Sequence, residues 1–102
     1  MTREEDMYVS IGRNIMGAQE SQMFGKPCFK VNGKAFVSFF QNEIVFKLNE
    51  PYRHEALALD GARLFDPSGK NRPMKEWIQL PFEHSGRWNE FALAAFNYVG
   101  HS

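Results

Sequence analysis

Asn32-Gly33 lies between two apolar runs, Phe24 to Val31 and Lys34 to Phe40, and no other feature constrains this chain as strongly. Both central positions of a tight hairpin turn want positive φ, which Gly adopts freely and Asn tolerates, so the two runs are predicted to fold back as antiparallel strands. A Gln41-Asn42 turn ahead of Ile44 to Leu48 repeats the device. A three-strand meander is therefore expected at the centre of the fold.

The flanking segments read as helices and two further strands. Thr2 and Glu5 have capping-box spacing, and Met7, Tyr8, Ile11, Ile15 and Met16 follow at roughly helical intervals, predicting a helix that ends around Gly17 to Gln19. Gly12 weakens it slightly. Asn49 and Pro51 read as a cap and first-turn proline for a short helix over Tyr52 to Leu59, closed before Gly61. Arg63-Leu64-Phe65 is a short strand, Asp66 to Pro73 a loop, and Lys75 to Leu80 a strand stopped by Pro81. Ser85 is expected to cap a last helix, whose apolar residues Trp88, Phe91, Ala92, Ala95, Phe96 and Val99 hold the cleanest helical period in the chain. The order αβββαββα predicts a two-layer α+β domain: a five-stranded antiparallel sheet flanked by three helices.

At 102 residues the chain makes one domain, with no repeat or linker that would divide it. Twelve basic residues balance twelve acidic ones, so composition gives no bulk attraction to nucleic acid or acidic lipid. The one cysteine, Cys28, cannot close an intramolecular disulfide, and Thr2-Arg3-Glu4-Glu5-Asp6 stands where a secretory signal would need an apolar run. A reducing cytoplasm is the expected compartment. No apolar stretch approaches the roughly 18 residues of a membrane-spanning helix.

Propagating a uniform pleat from the Asn32-Gly33 turn pairs Phe29 with Phe36 and sorts the strands into two faces. Cys28, Ala35, Val37, Phe39, Ile44, Phe46 and Leu48 are predicted to face the helices. The other face receives Phe29, Val31, Lys34, Phe36, Ser38, Phe40, Val45 and Lys47, joined by Lys75, Trp77 and Gln79. Exposed Phe29, Phe36, Phe40 and Trp77 would exceed the apolar patch that a monomer usually leaves in water, which marks a partner surface. Three explanations stay open: a homodimer or protein interface, cover by a helix or a register one residue off, and single-stranded nucleic acid stacked between aromatics and lysines. Zero net charge argues against the last.

The loop Lys70-Asn71-Arg72, followed by Lys75, groups cations that could hold an anionic peptide or a phosphate, although solvated loop charge is the commoner explanation of such residues. Asp66-Pro67-Ser68-Gly69 is a β-turn sequence in its own right, and Gly25-Lys26-Pro27 suggests a bulge or bend in the first strand. His54, His84 and His101 have no metal-ligand spacing, and Cys28 alternates toward the core, where a thiol is inert. Asp60, Asp66 and Glu76 show no acid–base pairing. Neither catalytic residues nor a cofactor nor a metal is expected.

Met23-Phe24-Gly25-Lys26-Pro27, Val31-Asn32-Gly33-Lys34-Ala35-Phe36, Val45-Phe46-Lys47-Leu48, Phe65-Asp66-Pro67 and Met74-Lys75-Glu76-Trp77 together resemble the TfoX N-terminal domain family, over about Met7 to Val99. The resemblance implies an antiparallel sheet flanked by helices, akin to secretion-chaperone-like proteins. Larger members of that family regulate natural competence through an additional helical domain that this chain lacks, and no family catalytic residues carry over. The expectation is a bacterial, non-enzymatic protein-interaction domain, acting as a homodimer or on a protein partner in transcriptional or competence regulation. Its expected contact residues are Phe29, Phe36, Phe40, Lys47, Lys70, Arg72, Lys75 and Trp77. A single-stranded nucleic-acid-binding module and a small-ligand-binding domain are the alternatives.

Overall fold

Nine regular elements and one 3-10 segment occur in the computed structural model, which describes residues 1–101. They are α1 (Arg3–Arg13), β1 (Gln19–Met23), β2 (Lys26–Val31), β3 (Lys34–Phe40), β4 (Glu43–Lys47), α2 (Tyr52–Leu57), β5 (Arg63–Phe65), β6 (Met74–Leu80), the 3-10 turn Phe82–Arg87, and α3 (Trp88–Gly100). The strands form one six-stranded antiparallel sheet in the order β1-β2-β3-β4-β6-β5. The α+β class and the three helices agree with the sequence; five strands and the order αβββαββα do not.

The additional strand is β1. Gln19-Glu20-Ser21-Gln22-Met23 has no apolar alternation, and it becomes a strand because Phe24 and Gly25 turn it back on β2 with φ of 54° and 74°. Two successive positive φ values define the turn type that suits hairpin twist. Gly25 therefore serves a hairpin, not the bend inside one strand that Gly25-Lys26-Pro27 suggested.

The second departure is a register shift between β2 and β3. Val31 pairs with Lys34 and Lys30 with Ala35, but Phe29 pairs with Val37, so Phe36 is an extra residue opposite no partner. One inserted residue reverses the parity of everything before it. Phe29 and Val31 consequently join Phe36, Val37, Phe39, Ile44, Phe46, Leu48, Ile78 and Leu80 in the core beneath the helices. Ala35 moves to the opposite face, and Cys28 pairs there with Ser38.

The helices close that core. Thr2 Oγ1 accepts a hydrogen bond from the Glu5 backbone N–H at 3.1 Å, satisfying one orphan donor at the start of α1. Tyr8 of α1 packs its ring 5.3 Å from Phe29 and 5.2 Å from Phe39. Trp88, Phe91, Ala92, Ala95 and Val99 of α3 are buried, as the helical period requires. Ser85 does not cap that helix: it lies inside the 3-10 turn, and α3 begins after Arg87 without a side-chain cap.

Candidate functional site

The sheet face away from the helices carries its own small cluster, formed by Val45, Phe65 and Trp77 with Met23, Ala35, Phe40 and Met74 around them. Phe40 on β3 and Phe65 on β5 are separated by β4 and β6, yet their rings meet edge-to-face at 5.3 Å. Trp77 lies 6.4 Å from Phe65 and is only 5% exposed. Among the described residues no helical side chain belongs to this cluster; its aromatic residues cover one another. The apolar patch expected to lie open in water is thus largely satisfied within the chain.

The eight residues singled out from the sequence divide accordingly. Phe29 (2% exposed) and Phe36 (0%) are removed from the outer face and lie in the helix-side core, Phe29 against Tyr8 and Phe36 edge-on to Phe96. The bulge at Phe36 is the physical reason. Phe40, Lys47, Lys75 and Trp77 keep the strand positions expected of them, with Lys47 directly opposite Trp77 in the β4–β6 ladder. Lys70 and Arg72 lie exposed in the loop between β5 and β6.

That loop has internal order. The Asp66 carboxylate accepts hydrogen bonds from Ser68 Oγ (2.7 Å) and from the backbone N–H groups of Gly69 (3.2 Å) and Arg72 (3.1 Å), while Ser68 Oγ accepts from Lys70 N–H (3.1 Å). These donors, the Ser68 hydroxyl foremost, hold the Asp66 carboxyl below the usual aspartate range. The turn predicted at Asp66-Pro67-Ser68-Gly69 is therefore a side-chain-organised one that presents Lys70 and Arg72 outward.

Beside the loop is a shallow concavity of about 330 Å³ lined by Lys47, Met74, Lys75, Glu76 and Trp77. Lys47 Nζ lies 3.9 Å from Glu76, whose other oxygen accepts from Tyr98 Oη at 2.5 Å. Lys70, Arg72 and Lys75 have no carboxylate partner among the described residues. A second concavity of about 330 Å³ continues along the same face past Phe40, Arg63 and Gln79 to the Asp66 turn. Its polar floor is satisfied internally, since Glu43 Oε1 accepts from Gln79 Nε2 (2.8 Å) and from Arg63 (2.9 Å). Lys70, Arg72 and Lys75 therefore bring three such cations to the loop end of the face, while Lys26 and Lys30 lie toward its β2 side.

Two other hollows carry less unpaired chemistry. One of about 610 Å³ lies between α2 and α3, where Glu50 is engaged by Arg53 and Glu90 by Arg87. The other, about 240 Å³, lies between α1 and the β1–β2 hairpin; burial pushes the Tyr8 phenol and the Cys28 thiol there above their ordinary pKa values. A raised pKa keeps Cys28 a thiol, the unreactive form. Among the described residues no three His, Cys, Asp or Glu side chains converge as a metal site, and no helix is long and apolar enough to cross a membrane.

The chain matches no protein-family model, no curated protein and no solved structure. The residues that sequence reasoning missed on the outer face are Met23, Ala35, Phe65 and Met74, of which Phe65 and Met74 form its floor with Val45. Alternation along Lys75 to Leu80 was a readable signal for Trp77, though not for Met74. Phe65 follows from alternation after the inward-facing Leu64, whereas Met74 joins it through a register irregularity between Leu64 and Phe65 that sets Met74 rather than Trp77 opposite Phe65, and no local pattern announces that.

Proposed function

We propose that this chain is a non-enzymatic, cytoplasmic protein-interaction domain that binds an acidic segment of a protein partner across the loop end of its outer sheet face. The observation carrying the reading is the placement of Lys70, Arg72 and Lys75, free of carboxylate partners among the described residues, beside the concavity floored by Met74 and Trp77. Charge steers and orients such an encounter, while a partly accessible apolar floor offers one anchor. Lys47 extends the cationic rim, and Phe40 flanks the adjoining concavity. Phe29 and Phe36 take no part.

The resemblance to the TfoX N-terminal domain family favours a regulatory setting, with contact to a component of the bacterial transcription machinery rather than to DNA. Stacking of single-stranded nucleic acid is less favoured, because Phe29 and Phe36 lie in the core and Trp77 is nearly covered, leaving few open rings for bases. The test is an NMR titration of the protein with a hexaglutamate peptide and, separately, with a ten-residue oligothymidylate. The reading expects amide shifts at Lys47, Lys70, Arg72 and Lys75 with the peptide, abolished in Lys70→Glu/Lys75→Glu. Shifts confined to other surfaces, or tighter binding of the oligonucleotide, refute it.

A further inference from the structure

The two edges of the sheet are treated very differently. β5 is three residues long and its pairing with β6 is irregular, features that blunt an edge. β1 has five residues in unbroken register with β2, contains neither proline nor lysine, and has no strand on its other side among the described residues. Arg13 of α1 reaches it, its Nε donating to Glu20 at 2.6 Å and neutralising the strand's single charge.

The hairpin turn dictates which backbone groups that edge offers. Because Phe24-Gly25 is a two-residue turn, Met23 and Lys26 form the hydrogen-bonded pair that closes it. Alternation then directs the N–H and C=O of Ser21 toward β2 and those of Glu20 and Gln22 toward the open edge. We infer that β1 is the interface of a symmetric homodimer, pairing antiparallel with β1 of a second copy about a two-fold axis at Ser21. This goes beyond the acidic partner proposed for the outer face and does not depend on it.

Register selects the second copy as occupant. With Ser21 opposite Ser21, Glu20 of each copy faces Gln22 of the other, and both pairs fall where donors and acceptors point across the edge, giving four backbone hydrogen bonds. Shifting so that Glu20 faces Glu20 sets like charges opposite, and shifting the other way drives Glu20 against the turn residue Phe24. The favoured register also brings Phe24 of one copy opposite Ala18 of the other, two residues past Met16. Met16 and Phe24 are 95% and 60% exposed and are otherwise left in water without explanation. Apolar contacts thus flank the ladder at both ends, as a self-complementary interface requires.

Sedimentation velocity across micromolar to millimolar protein tests the pairing. Wild type is expected to reach twice the 11.8 kDa chain mass. Gln22→Pro removes an N–H that points only outward, so it is expected to stay folded by circular dichroism and to sediment as a monomer. Ser21→Cys supplies an independent reading of register, made with Gln19→Cys in a Cys28→Ala background because Cys28 lies directly across the β1–β2 ladder from Ser21: facing Cα atoms in such a pair of copies lie about 4.5 Å apart, within disulfide reach. With oxidised glutathione it is expected to give a covalent dimer at least tenfold faster than Gln19→Cys. A wild type that stays monomeric at 1 mM (order of magnitude above a weak Kd), a folded Gln22→Pro that still dimerises, or equal cross-linking of the two cysteine variants each overturns the proposal. Should Gln22→Pro fail to fold, the cross-linking comparison decides.

Discussion

Replacing Gly12 by alanine pits two effects of opposite sign against each other. Gly12 sits in α1, where helix propensity alone would make alanine more stable by about 1 kcal/mol. The structure reverses that sign. A Cβ built on Gly12 comes closer than 3.0 Å to three carbons of the Phe29 ring, whereas carbon atoms pack at about 3.5–4.0 Å. The ring cannot swing aside, since Phe29 is buried on β2 with Tyr8 against it at 5.3 Å. Either α1 lifts from the sheet or Phe29 leaves its rotamer, and overpacking of this kind costs about 1–3 kcal/mol or more. With the overlap falling on backbone-anchored elements, the upper end applies, so the net loss is about 2 kcal/mol after the propensity gain. For a domain of this size that lowers Tm by roughly 10 °C. Urea unfolding followed by tryptophan fluorescence measures it, and Phe29→Leu completes a double-mutant cycle in which a coupling of about 1 kcal/mol or more is expected. A Gly12→Ala variant as stable as wild type, or more so, would show that α1 does not lie this close to β2 and would refute the bulged register that puts Phe29 there.

Three further outcomes follow from the same geometry. Tyr8 buries a phenol oxygen with no hydrogen-bond partner among the described residues, so Tyr8→Phe is expected to leave stability unchanged or raise it by about 1 kcal/mol in urea; a loss of that size would mean the hydroxyl is satisfied in solution. Phe24 holds φ of 54° at a turn position better suited to asparagine and exposed in the single chain, so in dilute, monomeric protein Phe24→Asn is expected to raise the Tm by a few degrees, about 1 kcal/mol, and an unchanged or lower Tm there would show that the ring packs usefully within the chain. The folded Asp66 carboxyl lies below its ordinary 3.8, so its bonds favour the folded loop above that pH, and this contribution fades as pH falls through the depressed value. An NMR titration should show the Gly69 and Arg72 amides moving together below pH 3.8 in wild type and not in Asp66→Asn; independent movement would separate them from the carboxylate.

Much of the outer surface was legible only in part. Lys47, Lys70, Arg72, Lys75 and Trp77 could be named from the chain because loop composition and alternation next to Pro81 are local signals. Their grouping with Met74 could not, because only a broken β5–β6 register sets Met74, rather than Trp77, opposite Phe65. Phe29 and Phe36 were misplaced for a related reason: one extra residue inverts a whole strand, and nothing in Phe36 itself distinguishes a bulged phenylalanine from a paired one.

By itself the sequence determined the hairpin at Asn32-Gly33, the capped start of α1, the buried stripe of α3 and the α+β class. Each rests on turn chemistry or periodicity, which act over a few residues and need no distant partner. The tertiary structure alone decided that Gln19 to Met23 becomes a strand, since its polar residues have no reason to extend until β2 offers its backbone. It also decided which face Phe29 takes, because the bulge lets Phe36 and Val37 both reach the core, where Phe36 meets Phe96, a residue sixty positions away in the chain.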